Sequence, residues 1–131
     1  MHITLEADYA VRIVSCLSKA EKRLDAKTIS EQASVTQRFA LKILRKLVAN
    51  GLVKSFKGTQ GGYELAKNPS EISLKDVIET VEGQYHFSRC LSEEYGCNRG
   101  MSGHCQFQRV FAQISEDVAK KLDSYTFDMF K

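Results

Sequence analysis

Cys16, Cys90, Cys97 and Cys105 are the side chains of this sequence best suited to chemistry, and the last three lie close together. Six residues separate Cys90 from Cys97 and seven separate Cys97 from Cys105, in a stretch that also holds Gly96, Gly100 and Gly103. Thiolates match soft metals and iron–sulfur clusters, and glycine lets the backbone close around an inorganic core. A zinc knuckle usually takes two ligands from a Cys-x-x-Cys pair, which is absent here. The spacing therefore leaves three alternatives, an iron–sulfur cluster first, plain thiol chemistry or none second, and zinc last. For a fourth ligand the neighbourhood offers only His86 and His104. Cys16 stands apart on the apolar side of a helical pattern and reads as a small buried hydrophobe.

The start of the chain, MHITLEADYAVR, lacks the basic, apolar, small-residue order of a secretion signal, and no apolar run approaches the ~18 residues of a membrane span. A cytoplasmic location without membrane association is the expectation, and structural disulfides are not expected in that compartment. Ferredoxin spacings, a Ser, His and acid constellation and a glycine-rich phosphate loop are all missing. The sequence thus argues against an enzyme or an electron carrier.

At 131 residues the chain has room for one hydrophobic core. Its net charge of +3 hides an asymmetry, with 12 Lys and Arg against 6 Asp and Glu through residue 68, and 7 against 10 afterwards. Between Glu31 and Glu64 there is no acidic residue, while Arg38, Lys42, Arg45, Lys46, Lys54 and Lys57 fall inside that window. Such a run suits a polyanion or, more blandly, a solvated helix face, and the local architecture must decide between them.

That architecture is mainly α with a small β-hairpin. Leu5, Tyr9, Ile13, Cys16 and Leu17 recur at helical spacing over residues 5–19, with Thr4 as N-cap. A short helix follows at 26–33, a break at Ser34-Val35, and a second helix capped by Thr36 that buries Phe39, Ile43, Leu44 and Leu47 and ends at Asn50-Gly51. Two helices joined by so short a turn have the pattern of a helix-turn-helix. Leu52–Phe56 and Tyr63–Leu65 form a hairpin around a glycine-rich tip, as a DNA-binding wing would. Ser73 and Asp76 make a capping box for a helix reaching about Val81, and residues 84–103 read as a long loop. From Gln106 to about Tyr125, Phe107, Val110, Phe111, Ile114, Val118 and Leu122 keep a 3.6-residue period, as in a helix that either docks on its own core or, as DNA binding would favour, pairs with its copy in a dimer.

Three segments carry a family pattern: Ile3-Thr4 with Asp8-Tyr9-Ala10-Val11-Arg12, then Asn50-Gly51-Leu52-Val53, then Lys57-Gly58-Thr59-Gln60-Gly61-Gly62-Tyr63. In these the sequence resembles the Rrf2 family of winged-helix transcription regulators, over nearly the whole chain. The family's arginine at the head of the wing motif is Lys57 here, which keeps the charge without the guanidinium fork. The resemblance implies a winged helix-turn-helix domain over residues 1–83, a cluster-binding loop over 84–105 and a dimerisation helix and tail over 106–131, together one integrated domain. It further implies a cytoplasmic homodimer on double-stranded DNA bearing a palindromic operator. DNA contact would come from Thr28, Thr36, Gln37, Arg38, Phe39, Lys42 and Arg45, and from the wing residues Lys57, Gly58, Thr59, Gln60 and Gly61. Cys90, Cys97 and Cys105 stand where several members hold an iron–sulfur cluster, of two or four irons. Some members add a histidine three residues beyond the third cysteine, where this chain has Gln108; others use an aspartate near the N-terminus from the other subunit, and the matching residue is Asp8. The implied signal is nitric oxide, redox state or cluster supply. The alternative is a cluster-free regulator of the same family that answers a thiol or a metabolite.

Overall fold

Four helices open on a side chain that accepts a hydrogen bond from the first turn. Thr4 accepts from the N–H of Ala7 at 3.1 Å, Asp25 from Thr28 at 2.8 Å, Thr36 from Phe39 at 3.2 Å, and Ser73 from Asp76 at 3.1 Å. Asp76 completes the box by accepting from the Ser73 N–H at 3.0 Å. These caps fix the starts of α1 (Leu5–Ala20), α2 (Ala26–Ala33), α3 (Gln37–Ala49) and, after a hairpin, α4 (Leu74–Glu82). At Asp25, hydrogen bonds from the Thr28 side chain and then its backbone N–H hold the carboxyl below the usual carboxylate range. The structure is a computed structural model that describes residues 2–91, 100 and 105–131.

α1 packs against α2, α3 and α4 at once, and its buried Ala10, Ile13, Val14 and Leu17 meet Ile29 of α2 and Ala40, Ile43, Leu44 and Leu47 of α3. Ala40 takes the fully buried place expected for Phe39, whose ring is only half-buried and stands edge-on to Tyr9 at 5.4 Å. Leu5, expected on the apolar side of α1, is 60% exposed. Cys16 is also less enclosed than expected: it packs on the core but stays partly accessible, and its thiol donates to Oε1 of Gln32 at 3.0 Å. Burial pushes this thiol's pKa up while Lys19 draws it back, so Cys16 is a poor nucleophile.

The strands β1 (Val53–Phe56) and β2 (Gly62–Leu65) pair antiparallel, with Val53 opposite Leu65 and Phe56 opposite Gly62. A third stretch of chain joins them. Leu24, in the link between α1 and α2, exchanges backbone hydrogen bonds with Tyr63, at 3.0 Å through its N–H and 2.8 Å through its carbonyl.

The last helix, α5 (Gln106–Asp123), packs on α4 and stops just short of the expected Tyr125. The chain then turns back. Thr126 bridges Ser73, the Phe127 N–H donates to the Ile72 carbonyl at 3.1 Å, and the Phe127 ring enters the core at 2% exposure.

Candidate nucleic-acid interface and cysteine site

α3 is amphipathic in charge as well as hydropathy. Its buried face locks it to α1, and Lys46, at the edge of that face, pairs with Glu6 of α1 at 2.7 Å. Gln37, Arg38, Lys42 and Arg45 remain exposed, with Lys42 Nζ 5.6 Å from the Phe39 ring centroid. Phe39 is thus a platform beside Lys42, set edge-on to Tyr9. Thr36 spends a lone pair on the cap of α3 but keeps its hydroxyl proton to donate. The turn into α3 is tight because Ser34 adopts a left-handed conformation (φ 58°) and Val35 donates to the Ser30 carbonyl at 3.0 Å. Thr28 is half-buried at the start of α2, engaged with Asp25.

The wing tip, Lys57 to Gln60, is exposed and closed by the Gly61 N–H on the Gly58 carbonyl at 3.0 Å. At Gly61 a Cβ would stand 2.5 Å from the Phe56 carbonyl oxygen, so only glycine lets the tip turn so sharply. One residue absent from the sequence expectations joins the wing: Arg23, in what reads as a merely polar link. Its guanidinium lies 3.4 Å from the Phe56 ring centroid, donates to the Gln60 carbonyl at 3.3 Å and approaches Glu64 at 3.6 Å. No spacing rule marks such a residue.

Cys90 lies in the short 3-10 turn Arg89–Leu91, which packs on α5, and Cys105 is the residue that opens α5. Both are free thiols of intermediate burial. The Cys90 Sγ is 3.2 Å from the Ser88 hydroxyl, and the Cys90 carbonyl accepts from Gln108 Nε2 at 3.4 Å. Gln108 therefore holds the Cys90 turn against α5. Upstream, the Phe87 N–H donates to Ser115 Oγ at 2.6 Å and the Phe87 ring lies 5.3 Å from Phe111. Cys97 and His104 lie outside the described residues, and among the described residues no group of three or more His, Cys, Asp or Glu gathers as a metal site. Within one chain, Asp8 accordingly does not join Cys90 and Cys105. It pairs instead with Arg12 at 2.7 Å, one turn along α1, with its side chain 43% exposed.

Comparisons with known proteins agree with this geometry. The family model of Rrf2, described as an iron-dependent transcriptional regulator, matches residues 3–130. The transcriptional regulator IscR of Serratia proteamaculans is 30% identical over 128 residues, covering 96% of this chain and 76% of the relative. Among solved structures, T. potens IscR superposes with a TM-score of 0.76 at 25% identity, covering 98% of this chain and 84% of the other. CymR, the global cysteine regulator of B. subtilis, gives a TM-score of 0.76 at 26% identity, covering 98% and 94%. Among the described residues no helix is long and apolar enough to cross a membrane. With a family match spanning the helix-turn-helix, the wing and the last helix, the chain belongs to the Rrf2 family of DNA-binding transcription regulators and is not an enzyme.

Proposed function

We propose that this protein is a cytoplasmic, homodimeric regulator whose affinity for a palindromic operator depends on an iron–sulfur cluster held by Cys90, Cys97 and Cys105. The observation that carries the reading is that Cys90 and Cys105 are both free and both fastened to the first turns of α5. The donor set fits such a cluster: thiolates suit iron, and the positive end of a helix favours negative charge. When bound, the cluster supplies a centre that reacts with nitric oxide or oxidants. The chain's own residues then carry the effect. Gln108 ties the Cys90 turn to α5, α5 packs on α4, and α4 packs on α3. The exposed Phe107 (65%) and Val110 (55%) on α5 form the face for the second copy, and Asp8 of the partner subunit would be the fourth ligand to a bound cluster, giving up its pairing with Arg12.

In this reading residues 1–83 form the DNA-binding unit, 84–105 the cluster loop and 106–131 the dimer helix and tail. Thr36, Gln37 and Arg38 face base edges. Thr28, Lys42 and Arg45 meet phosphates over the Phe39 platform, and Lys57, Gly58, Thr59, Gln60 and Gly61 enter the minor groove. Lys42→Ala should weaken binding to all sequences alike and flatten the dependence of log affinity on log salt by about one unit, as expected for one phosphate contact. A titration over several salt concentrations reads this directly, and an unchanged slope removes the contact.

Protein isolated without oxygen should contain iron and acid-labile sulfide, and both should fall in Cys90→Ser and Cys105→Ser. Asp8→Ala should keep the fold yet change the lifetime of the cluster absorption or its response to nitric oxide. Iron-free wild-type protein that binds its operator as tightly as iron-loaded protein would sink the proposal. That result would favour the second reading, a regulator answering a thiol or metabolite, which is supported by the likeness to the cysteine regulator CymR.

A further inference from the structure

The wing is a two-stranded hairpin of four residues a side, and an isolated hairpin of that size is at best marginal in water. Something outside it must fix its angle to α3. The Leu24–Tyr63 backbone pairing holds β2 near its tip-proximal end, where Tyr63 faces Ser55, and reaches no residue of the tip itself. Arg23, the next residue along, reaches past that anchor to three points: the Phe56 ring at the end of β1, the Gln60 carbonyl within the tip, and the Glu64 carboxylate on β2. The three contacts use the face and edge of one planar group, and lysine has neither the plane nor the fork. Arg23 directs its guanidinium onto the wing while its side chain stays 40% exposed.

We propose that Arg23 is a positioning residue for DNA recognition: by clamping Phe56, Gln60 and Glu64 together, it sets the angle of the wing and hence how much of the flanking DNA the wing holds. The inference rests on the assignment of residues 57–61 to DNA contact. It separates the contribution of the wing from that of α3, because Arg23 makes no contact with α3 among those described.

The test uses the full-length chain, purified without oxygen, as wild type, Arg23→Ala and Arg23→Lys. A duplex selected by the wild type from a random-sequence pool serves as probe. Without DNA, the Tyr63 and Gly61 amides of Arg23→Ala should exchange roughly tenfold faster while the Leu44 amide of α3 keeps its rate, since local opening of the wing leaves the core closed. With DNA, Arg23→Ala should bind roughly tenfold more weakly, the loss expected for a partly desolvated cation–ring contact with its hydrogen bond. Hydroxyl-radical protection should disappear at the flanks of the site and persist at its centre. Arg23→Lys should fall in between on both measurements, and this graded response keeps the test decisive if Arg23→Ala also loosens the core. Wild-type exchange at Tyr63 and Gly61 in both variants overturns the clamp, and faster exchange with flank protection intact overturns its role in recognition. If the wild type selects no sequence from the pool, the DNA assignment of the wing fails, and recognition falls with it; the exchange rates still decide the clamp.

Discussion

Phe127→Ala should lower the unfolding free energy by about 3–5 kcal/mol, the cost of emptying a large aromatic site in a packed core. Among the described residues Phe127 is the largest of the fully buried side chains, and its ring joins a core otherwise built from α1 to α4, the hairpin and the connecting residues Leu24, Leu52 and Ile72. The surrounding backbone cannot collapse readily into the vacated space, because Phe127 N–H is bonded to the Ile72 carbonyl and Leu74 N–H to the Tyr125 carbonyl at 2.9 Å. In a domain of total stability ~5–15 kcal/mol, a loss of this size leaves a protein close to its threshold. Urea denaturation should show a lower midpoint at unchanged slope. Phe130→Ala is the control: its ring stacks near Phe127 at 6.3 Å but is 45% exposed, so the cost should stay below about 1 kcal/mol. Equal effects of the two substitutions would show that the tail does not complete the core.

Gly62→Ala should detach the wing from the body of the protein. Gly62 has φ +135°, and a Cβ there would lie 2.6 Å from the Leu24 carbonyl oxygen, a backbone atom that cannot swing aside as a side chain would. The variant must break the Leu24–Tyr63 pairing or strain the hairpin, at roughly 1–3 kcal/mol for the backbone conformation alone. Gly58→Ala makes the comparison: its φ is +94°, but nothing lies within 4 Å of the added carbon, so the cost should be nearer ~1 kcal/mol. Thermal unfolding and DNA binding measured together should rank Gly62→Ala well below Gly58→Ala in both. The reverse order would mean that the close approach at Leu24 does not govern the wing.

The features legible in the sequence are those fixed by neighbours in the chain. The capping residues Thr4, Thr36 and Ser73, the break at Ser34 and the glycine-bearing tip announce themselves because each satisfies a local backbone requirement. The exposed cations of α3 followed from the same periodicity that buries Ile43 and Leu44. What depends on distant partners was not legible. A single bridging residue such as Leu24 has no period to detect, and Arg23 looks like any surface arginine until Phe56 is seen beneath it. Phe127 follows the helical pattern and so gave no sign that the chain doubles back into the core. Phe39 is less buried than expected because the packing of α1 on α3 favours the small Ala40 at the contact and leaves the aromatic at its margin, against Tyr9. At the cysteine site, residue type and spacing were readable; the attachment of Cys90 to α5 through Gln108 required the fold.

The position of Phe127 also bears on the order of assembly at the ribosome. Proteins are made from the N-terminus, so the reading head leaves the exit tunnel first, but its interior lacks a piece that is translated only after the cysteine segment and α5. The head cannot reach full stability as an early, separate intermediate. Its maturation waits for the sensor segment and the pairing helix, so a finished DNA-binding surface always emerges together with the parts proposed to control it.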